Sequence, residues 1–264
     1  MNETRAQRWA ITGAAGTIGT ALREHLADTS VELVSIDVAE ITRVTPSERL
    51  LRCDVGDLAG LEAAFEGCVG VIHLAGIADE ADFHDLAEIN IVGTYHVLEA
   101  ARRAEVGRVV YASSNRVTGF YDADTPVEEA MPPRPDGFYG VSKVAGEALC
   151  RLYSDKFHLR TIALRIGSYE PMPGSAREMH TWLSPRDALR AFDAAMTTDQ
   201  RQAVFYAVSN NTERWWSLEA GRAAGFVPID DAAELGSDQP PFPSGPQGGV
   251  YATAEYSVDR MRTD

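Results

Sequence analysis

"RWAITGAAGTIG", residues 8–19, decides the fold. An apolar run, Arg8 to Thr12, reads as a strand. It leads at once into Gly13, Gly16 and Gly19, a G-x-x-G-x-x-G pattern that opens a helix over residues 17–27. Positions without side chains permit a tight turn and close backbone approach. The helix start then offers N–H donors and positive potential to a pyrophosphate. Thr17 and Ile18 lie in that first helical turn and belong to the same cradle.

Outward from this turn, apolar runs alternate with helix-length amphipathic segments. Strands are expected at 31–37, 49–55, 70–76, 108–114 and 159–166, with helices near 57–66 and 83–104 and a Tyr139–Lys143 helix that ends near 156 between them. This β-α order implies an α/β fold: a doubly wound parallel Rossmann-type sheet with right-handed crossovers. The expected organisation is one domain over residues 1–264, with a core to about 166 and a small C-terminal substrate-binding and covering part. In that part Ser184-Pro185 signals a helix over 184–196, and residues 203–209 read as a seventh strand. Residues 236–249 are turn-rich, and serve either as a cover or as a mobile loop.

Asp37 ends the second strand, 18 residues after Gly19. An acid there accepts bonds from the adenosine ribose hydroxyls and repels a 2′-phosphate, which selects NAD over NADP. Asp54-Val55 follows the third strand, where it either meets the adenine or serves as a structural pair. "HLAG" (73–76) ends the fourth strand, and Leu74, Ala75 and Gly76 let backbone line a cofactor. Ile166 closes the sixth strand at the same sheet edge.

Composition narrows the function. The net charge of −15 opposes nucleic-acid and anionic-membrane partners. No apolar run is long enough for a membrane span, and the start of the chain carries no secretory signal. The three cysteines have no paired or metal-ligand spacing. These features together read as cytoplasmic, with no metal.

"DGFYGVSKVAGE" (136–147) places Tyr139 and Lys143 one helical turn apart, in a chain with only two lysines. An ammonium beside a phenol favours the phenolate, and so makes a base. GxxGxxG, the strand-two acid, "HLAG", "YASSN" and "YGVSK" together resemble the extended short-chain dehydrogenase/reductase family over residues 8 to about 170. The resemblance implies Tyr139 as general base, Lys143 as its pKa-lowering partner on the nicotinamide ribose, and Ser114 on the reacting oxygen. Asn90 either serves a proton relay or bends its helix.

Further stretches resemble bacterial uronate dehydrogenases: "RPDGFYGVSK", "LRIGS", "TWLSPRD", "NNTERWW" and "GPQGGVY". That resemblance implies NAD-dependent oxidation of galacturonate or glucuronate at C1 to the aldarolactone, in a homo-oligomer, as large as a hexamer. It implies Arg177 on the substrate carboxylate, with Ser168 and Asn115 on hydroxyls or carboxylate. Two positions depart from the pattern: Ala78 replaces a serine of some members, and Arg116 replaces a histidine. Two other readings fit the shared motifs: a nucleotide-sugar epimerase or dehydratase, and a non-catalytic NAD-binding regulatory protein. Only about 95 residues follow the sixth strand, little for a lobe that grips a nucleoside diphosphate.

Overall fold

The computed structural model describes residues 7–235 and 239–262. The chain runs β1 (Arg8–Thr12), α1 (Thr17–Ala27), β2 (Glu32–Asp37), β3 (Arg49–Arg52), α2 (Leu58–Phe65) and β4 (Gly70–His73). A long irregular helix follows: α3 (Phe83–Leu86), a π-helical turn (Ala87–Val92) and α4 (Gly93–Arg103). Then come β5 (Arg108–Ser114), a 3₁₀ turn (Asn115–Thr118), α5 (Phe138–Phe157) and β6 (Arg160–Ile166). The remainder holds β7 (Ser168–Tyr169), α6 (Glu178–Thr181), β8 (Trp182–Leu183), α7 (Pro185–Thr197), β9 (Gln202–Ala207), α8 (Glu219–Ala223) and α9 (Ala254–Val258).

Seven strands form one sheet in the order β3-β2-β1-β4-β5-β6-β9, every pair parallel. The expected doubly wound Rossmann-type sheet is therefore present, and its last strand comes from beyond residue 166. Chain order reverses between β1 and β4, which opens a crevice at their carboxyl ends. β7 and β8 make a separate two-stranded sheet that sequence periodicity does not reveal, because each strand has only two residues.

The central strands are buried on both faces, as an all-parallel sheet requires. One core layer joins Ile11, Ile72, Val110 and Leu164 to Leu22 of α1 and Phe192 of α7. The opposite layer joins Ala10, Val71 and Val109 to Phe65 of α2, Leu98 of α4 and Cys150 of α5. Burial of each such Leu, Ile or Phe contributes roughly 1.5–3 kcal/mol. A third cluster of Tyr206, Trp215, Trp216 and Leu218 packs below the C-terminal part.

α7 starts as its sequence dictates, with the Ser184 side chain accepting from the Asp187 amide at 3.0 Å and Pro185 in the first turn. The π-helical turn centres on Asn90, whose amide exchanges two bonds with the Ile77 backbone at 2.8 and 3.0 Å. The turn-rich 239–249 segment is pinned at Gln247, which is fully buried and donates to the carbonyl of Thr125 at 2.9 Å. It acts as a cover; residues 236–238 of the expected stretch lie outside the described residues.

Candidate active site

A groove of about 1080 Å³ runs across the carboxyl ends of β1, β4, β5 and β6. At one end lies the glycine turn. Gly13 has φ +73°, and a Cβ there would stand 2.6 Å from the Ala75 amide nitrogen. A Cβ on Gly19 would collide with the Gly13 carbonyl. The turn thus closes β1 against the end of β4 with no room for side chains. α1 begins at Gly16 with no side-chain cap, so its first-turn amides face the groove without an acceptor among the described residues. Asp37 accepts from the Ala15 amide at 2.9 Å and from Ala39 at 2.9 Å, which fixes its carboxylate beside the turn. Asp54 is held by the Gly56 amide at 2.7 Å, and Val55 lines the wall beside it. Thr17, Ile18, Leu74, Ala75, Gly76 and Ile166 complete this end. A cradle that a Cβ would fill, with free helix amides and an acid beyond it, fits a dinucleotide.

Asn90 is different from the rest of the cofactor set. It is buried behind the wall, with its amide consumed by Ile77 and by Ser142 Oγ at 3.0 Å. Its place is structural: it ties the helix to the β4 exit and does not face the groove.

Further along, β5 delivers Ser114 and the following turn delivers Asn115 and Arg116, while α5 delivers Tyr139 and Lys143. All line the groove and all are buried. Burial pushes the Tyr139 phenol up to about 12; a hydrogen bond with Ser114 and the Arg116 charge work against that rise. Burial also pulls the Lys143 ammonium down to about 8. Its Nζ donates to the Ala112 carbonyl at 2.9 Å and stands 5.5 Å from the Tyr139 ring centre. Both groups are desolvated, and the lysine faces backbone oxygen first. His73, beneath them, is held neutral by burial and by Lys143, its pKa about 3. Its ring bridges Thr12 and Thr94 hydroxyls at 2.8 and 3.1 Å.

The far end gathers Ala78, Ser168 and Arg177. Ser168 Oγ lies 2.7 Å from Thr181 Oγ1 and 3.5 Å from Arg177 Nη1. Arg177 Nε donates to the buried Gln247 carbonyl at 2.9 Å. Burial lowers the guanidinium's pKa, while the Asp136 carboxylate works the other way. Arg116 is only 5% exposed. It pairs with Asp136, with Asp79 at 3.3 Å and with Glu80 at 3.5 Å. Burial works against its charge, but these carboxylates hold it protonated. Arg116 therefore reaches the groove as a matched charge, not as a free one.

Asp79 and Tyr251 are among the groove residues that escape sequence reasoning. Asp79 follows Ala78 in the β4 exit loop. Tyr251 comes from the C-terminal segment, its ring 4.3 Å from the Arg116 guanidinium and 5.1 Å from that of Arg177. An aromatic between two arginines over a groove has no local sequence signal. Only the chain's return across the site creates it.

Relatives carry the same architecture. A uronate dehydrogenase of Pseudomonas putida is 34% identical over 264 residues, covering 96% of this chain and 98% of its own. An L-arabinose 1-dehydrogenase (NAD(P)(+)) of Haloferax volcanii is 37% identical, covering 86% of this chain and 98% of its own. The crystal structure of a tyrosine-to-alanine mutant of the Agrobacterium tumefaciens uronate dehydrogenase, complexed with NAD, superposes with a TM-score of 0.87. It is 35% identical, over 93% of this chain and 97% of that one. Residues 9–170 match the model of the NAD dependent epimerase/dehydratase family. That span runs from the glycine turn through Tyr139 and Lys143 to Ser168, and the chain belongs to this family of NAD-dependent enzymes.

Proposed function

We propose that the protein oxidises a hexuronic acid, galacturonate or glucuronate, at C1 to the aldarolactone, with NAD as hydride acceptor. The observation that carries this reading is Arg177. It is a half-buried guanidinium at the far end of the groove that contains Tyr139. It is oriented by Gln247 and Ser168, and its Nη2 makes no hydrogen bond among the described residues. A guanidinium so placed can take a carboxylate by paired charge-assisted bonds.

The amides of the Gly13–Gly19 turn hold the pyrophosphate, and Asp37 takes the adenosine ribose hydroxyls. Asp54 and Val55 border the adenine. Bound NAD would supply the hydride-accepting ring. Lys143 would hold the nicotinamide ribose. Arg177, Ser168 and Asn115 orient the sugar so that its C1 hydrogen faces the acceptor. Ser114 donates to the C1 oxygen while Tyr139, ionised, removes the C1 hydroxyl proton. General-base help of this kind is worth roughly 10²–10⁴-fold.

A second reading takes a neutral aldose at C1. Ala78 offers no hydroxyl, and Arg116 is already matched by carboxylates, so Arg177 alone answers a substrate anion. The L-arabinose relative fits this case. NAD reduction assayed across galacturonate, glucuronate, L-arabinose and UDP-sugars decides between them. The hexuronates should exceed arabinose by about 100-fold in kcat/KM, the size of a desolvated ion pair. A preference for arabinose ends the uronate reading. An epimer formed from a UDP-sugar favours the epimerase alternative, and silence throughout favours the regulatory one.

The proposal includes a homo-oligomer in the cytoplasm. Phe83, Ile89, Val92, Tyr95 and Val141 leave apolar surface exposed on the α3–α4 and α5 helices, which supports self-association. All three cysteines are free thiols, which suits a reducing compartment.

A further inference from the structure

α5, which carries Tyr139 and Lys143, begins at Gly137, a position with no side chain to cap it. The first amides of a helix need acceptors from elsewhere. Those of Phe138 and Tyr139 donate to the two oxygens of Glu80, at 2.8 and 3.1 Å. Glu80 is 58 residues before Phe138 in the chain and only 5% exposed. Its carboxylate also accepts from Ser257 Oγ at 2.7 Å and lies 3.5 Å from Arg116 Nη2. Its carboxylate thus makes two hydrogen bonds to the helix, one to the C-terminal strap, and an ion pair with a groove arginine.

We infer that Glu80 is a positioning residue for Tyr139, a cap supplied from the β4 exit loop that fixes the first turn of the catalytic helix. The inference rests on the reading of Tyr139 as the base. One of the two capped amides belongs to Tyr139 itself, so the anchor sits on the backbone of the residue whose phenol must be aimed. A misplacement near 1 Å in such a group costs about 10²-fold in rate. Negative charge at a helix start is also favoured by the helix dipole.

Gly137 supports the same conclusion independently. Its backbone is extended, with φ −174°, a conformation open to any residue. A Cβ there would nevertheless collide with Glu80 Oε2. Glycine is required at this position for the carboxylate to approach, not for the turn. The strap adds the third element. Ser257 lies on α9, and Tyr256 beside it donates to Asp79 at 2.6 Å. α9 therefore grips two consecutive acids, Asp79 beside the groove and Glu80 beneath the helix, and so bears on Tyr139 through Glu80.

The test compares Glu80→Ala, Glu80→Gln, Gly137→Ala and Ser257→Ala in the full chain. Each is measured for kcat, KM, NAD dissociation constant and amide hydrogen exchange at residues 138–139. Glu80→Ala should lower kcat about 30-fold, with KM and NAD affinity within about threefold, and should speed exchange at both amides about 10-fold or more. Glu80→Gln keeps an acceptor and should recover most of kcat. Gly137→Ala should reproduce the Glu80→Ala loss, and the double variant should be no worse than either single one. Faster exchange with unchanged kcat would overturn the inference, as would unchanged exchange, full additivity or a loss confined to KM. If Glu80→Ala does not fold, Ser257→Ala decides: about a threefold fall in kcat with faster exchange supports the inference, and no change in either refutes it. Tyr139→Phe run alongside separates the failures. Normal turnover there sinks the base reading itself, whereas the exchange at 138–139 reads the cap without any substrate.

Discussion

At the glycine end of the groove the wall is backbone and small side chains: Gly13, Gly16, Ala75 and Gly76, with α1 amides left open. At the Arg177 end the wall is charged and aromatic. Arg116 is matched by Asp79, Glu80 and Asp136, and Tyr251 lies between two guanidinium groups. The first end comes mainly from residues 12–19 and the strand ends beside them. The second draws on the β4 exit, the turn after β5, the start of α5, the β7–α6 loop and the C-terminal strap. A dinucleotide needs the same cradle in every member of a large family, and a local turn provides it. A sugar is distinguished by donors and charges that converge from distant parts of the chain, so the second end can change one residue at a time.

Removing the proposed base between the two ends should have the largest effect. Tyr139→Phe should lower kcat by about 10³–10⁴-fold and leave the NAD dissociation constant within about twofold, because the glycine end is untouched. Single-turnover NADH formation and equilibrium NAD titration measure the two quantities separately. Next is Gly13→Ala. The left-handed backbone and the 2.6 Å approach to the Ala75 amide leave no place for the methyl group. NAD affinity should fall by about 100-fold or more through displacement of β4 from the turn, with the fold retained by circular dichroism. If NAD binds normally to that variant, the glycine end is less constrained than its geometry requires.

The contrast also explains what the sequence made legible. The doubly wound parallel sheet was readable because β1, β2, β4, β5 and β6 are largely buried apolar runs of four to seven residues. The groove residues from Gly13 to Gly76 followed from spacing along one or two elements. Asp79, Glu80 and Tyr251 did not, since their roles depend on contacts across more than 50 residues of chain. Arg116 shows the limit most clearly. Its presence at the site was legible, but its partner Asp136 is 20 residues away and Glu80 is 36 away, so its neutralisation was not. The π-helical turn at Asn90 was likewise invisible, because the bond to Ile77 that holds it comes from tertiary structure.

A third prediction concerns the cost of the desolvated ammonium. Lys143 has a folded pKa of about 8 against 10.5 in the open chain. Between those values the unfolded chain holds the proton and the folded one does not, so stability rises as pH climbs from about 8 to 10.5. Below that window the full penalty is present. Lys143→Met should therefore stabilise the cofactor-free protein at pH 7 by up to about 3 kcal/mol, with the difference vanishing above the window. Urea unfolding at pH 7 and pH 11 checks it, and a variant less stable than the parent at pH 7 would mean that the Ala112 bond outweighs desolvation.

The smallest effect should come from the two arginines, and it tests the asymmetry within the charged end itself. Arg116 pairs with three carboxylates, whereas Arg177 makes no ion pair among the described residues. Loss of charge-assisted hydrogen bonds costs about 1.5–3 kcal/mol. Arg177→Ala should thus raise KM for a hexuronate about 10–100-fold while changing kcat much less, and leave KM for a neutral aldose nearly unchanged. Arg116→Met should do the reverse. It leaves Asp136 and Glu80 as unpaired buried carboxylates, so it should lower the melting temperature and kcat with little selective effect on hexuronate KM. Equal KM effects from both substitutions, measured by initial-rate kinetics on hexuronate and aldose side by side, would show that Arg116 also grips the substrate anion. The matched cluster around it would then have to open when the sugar binds.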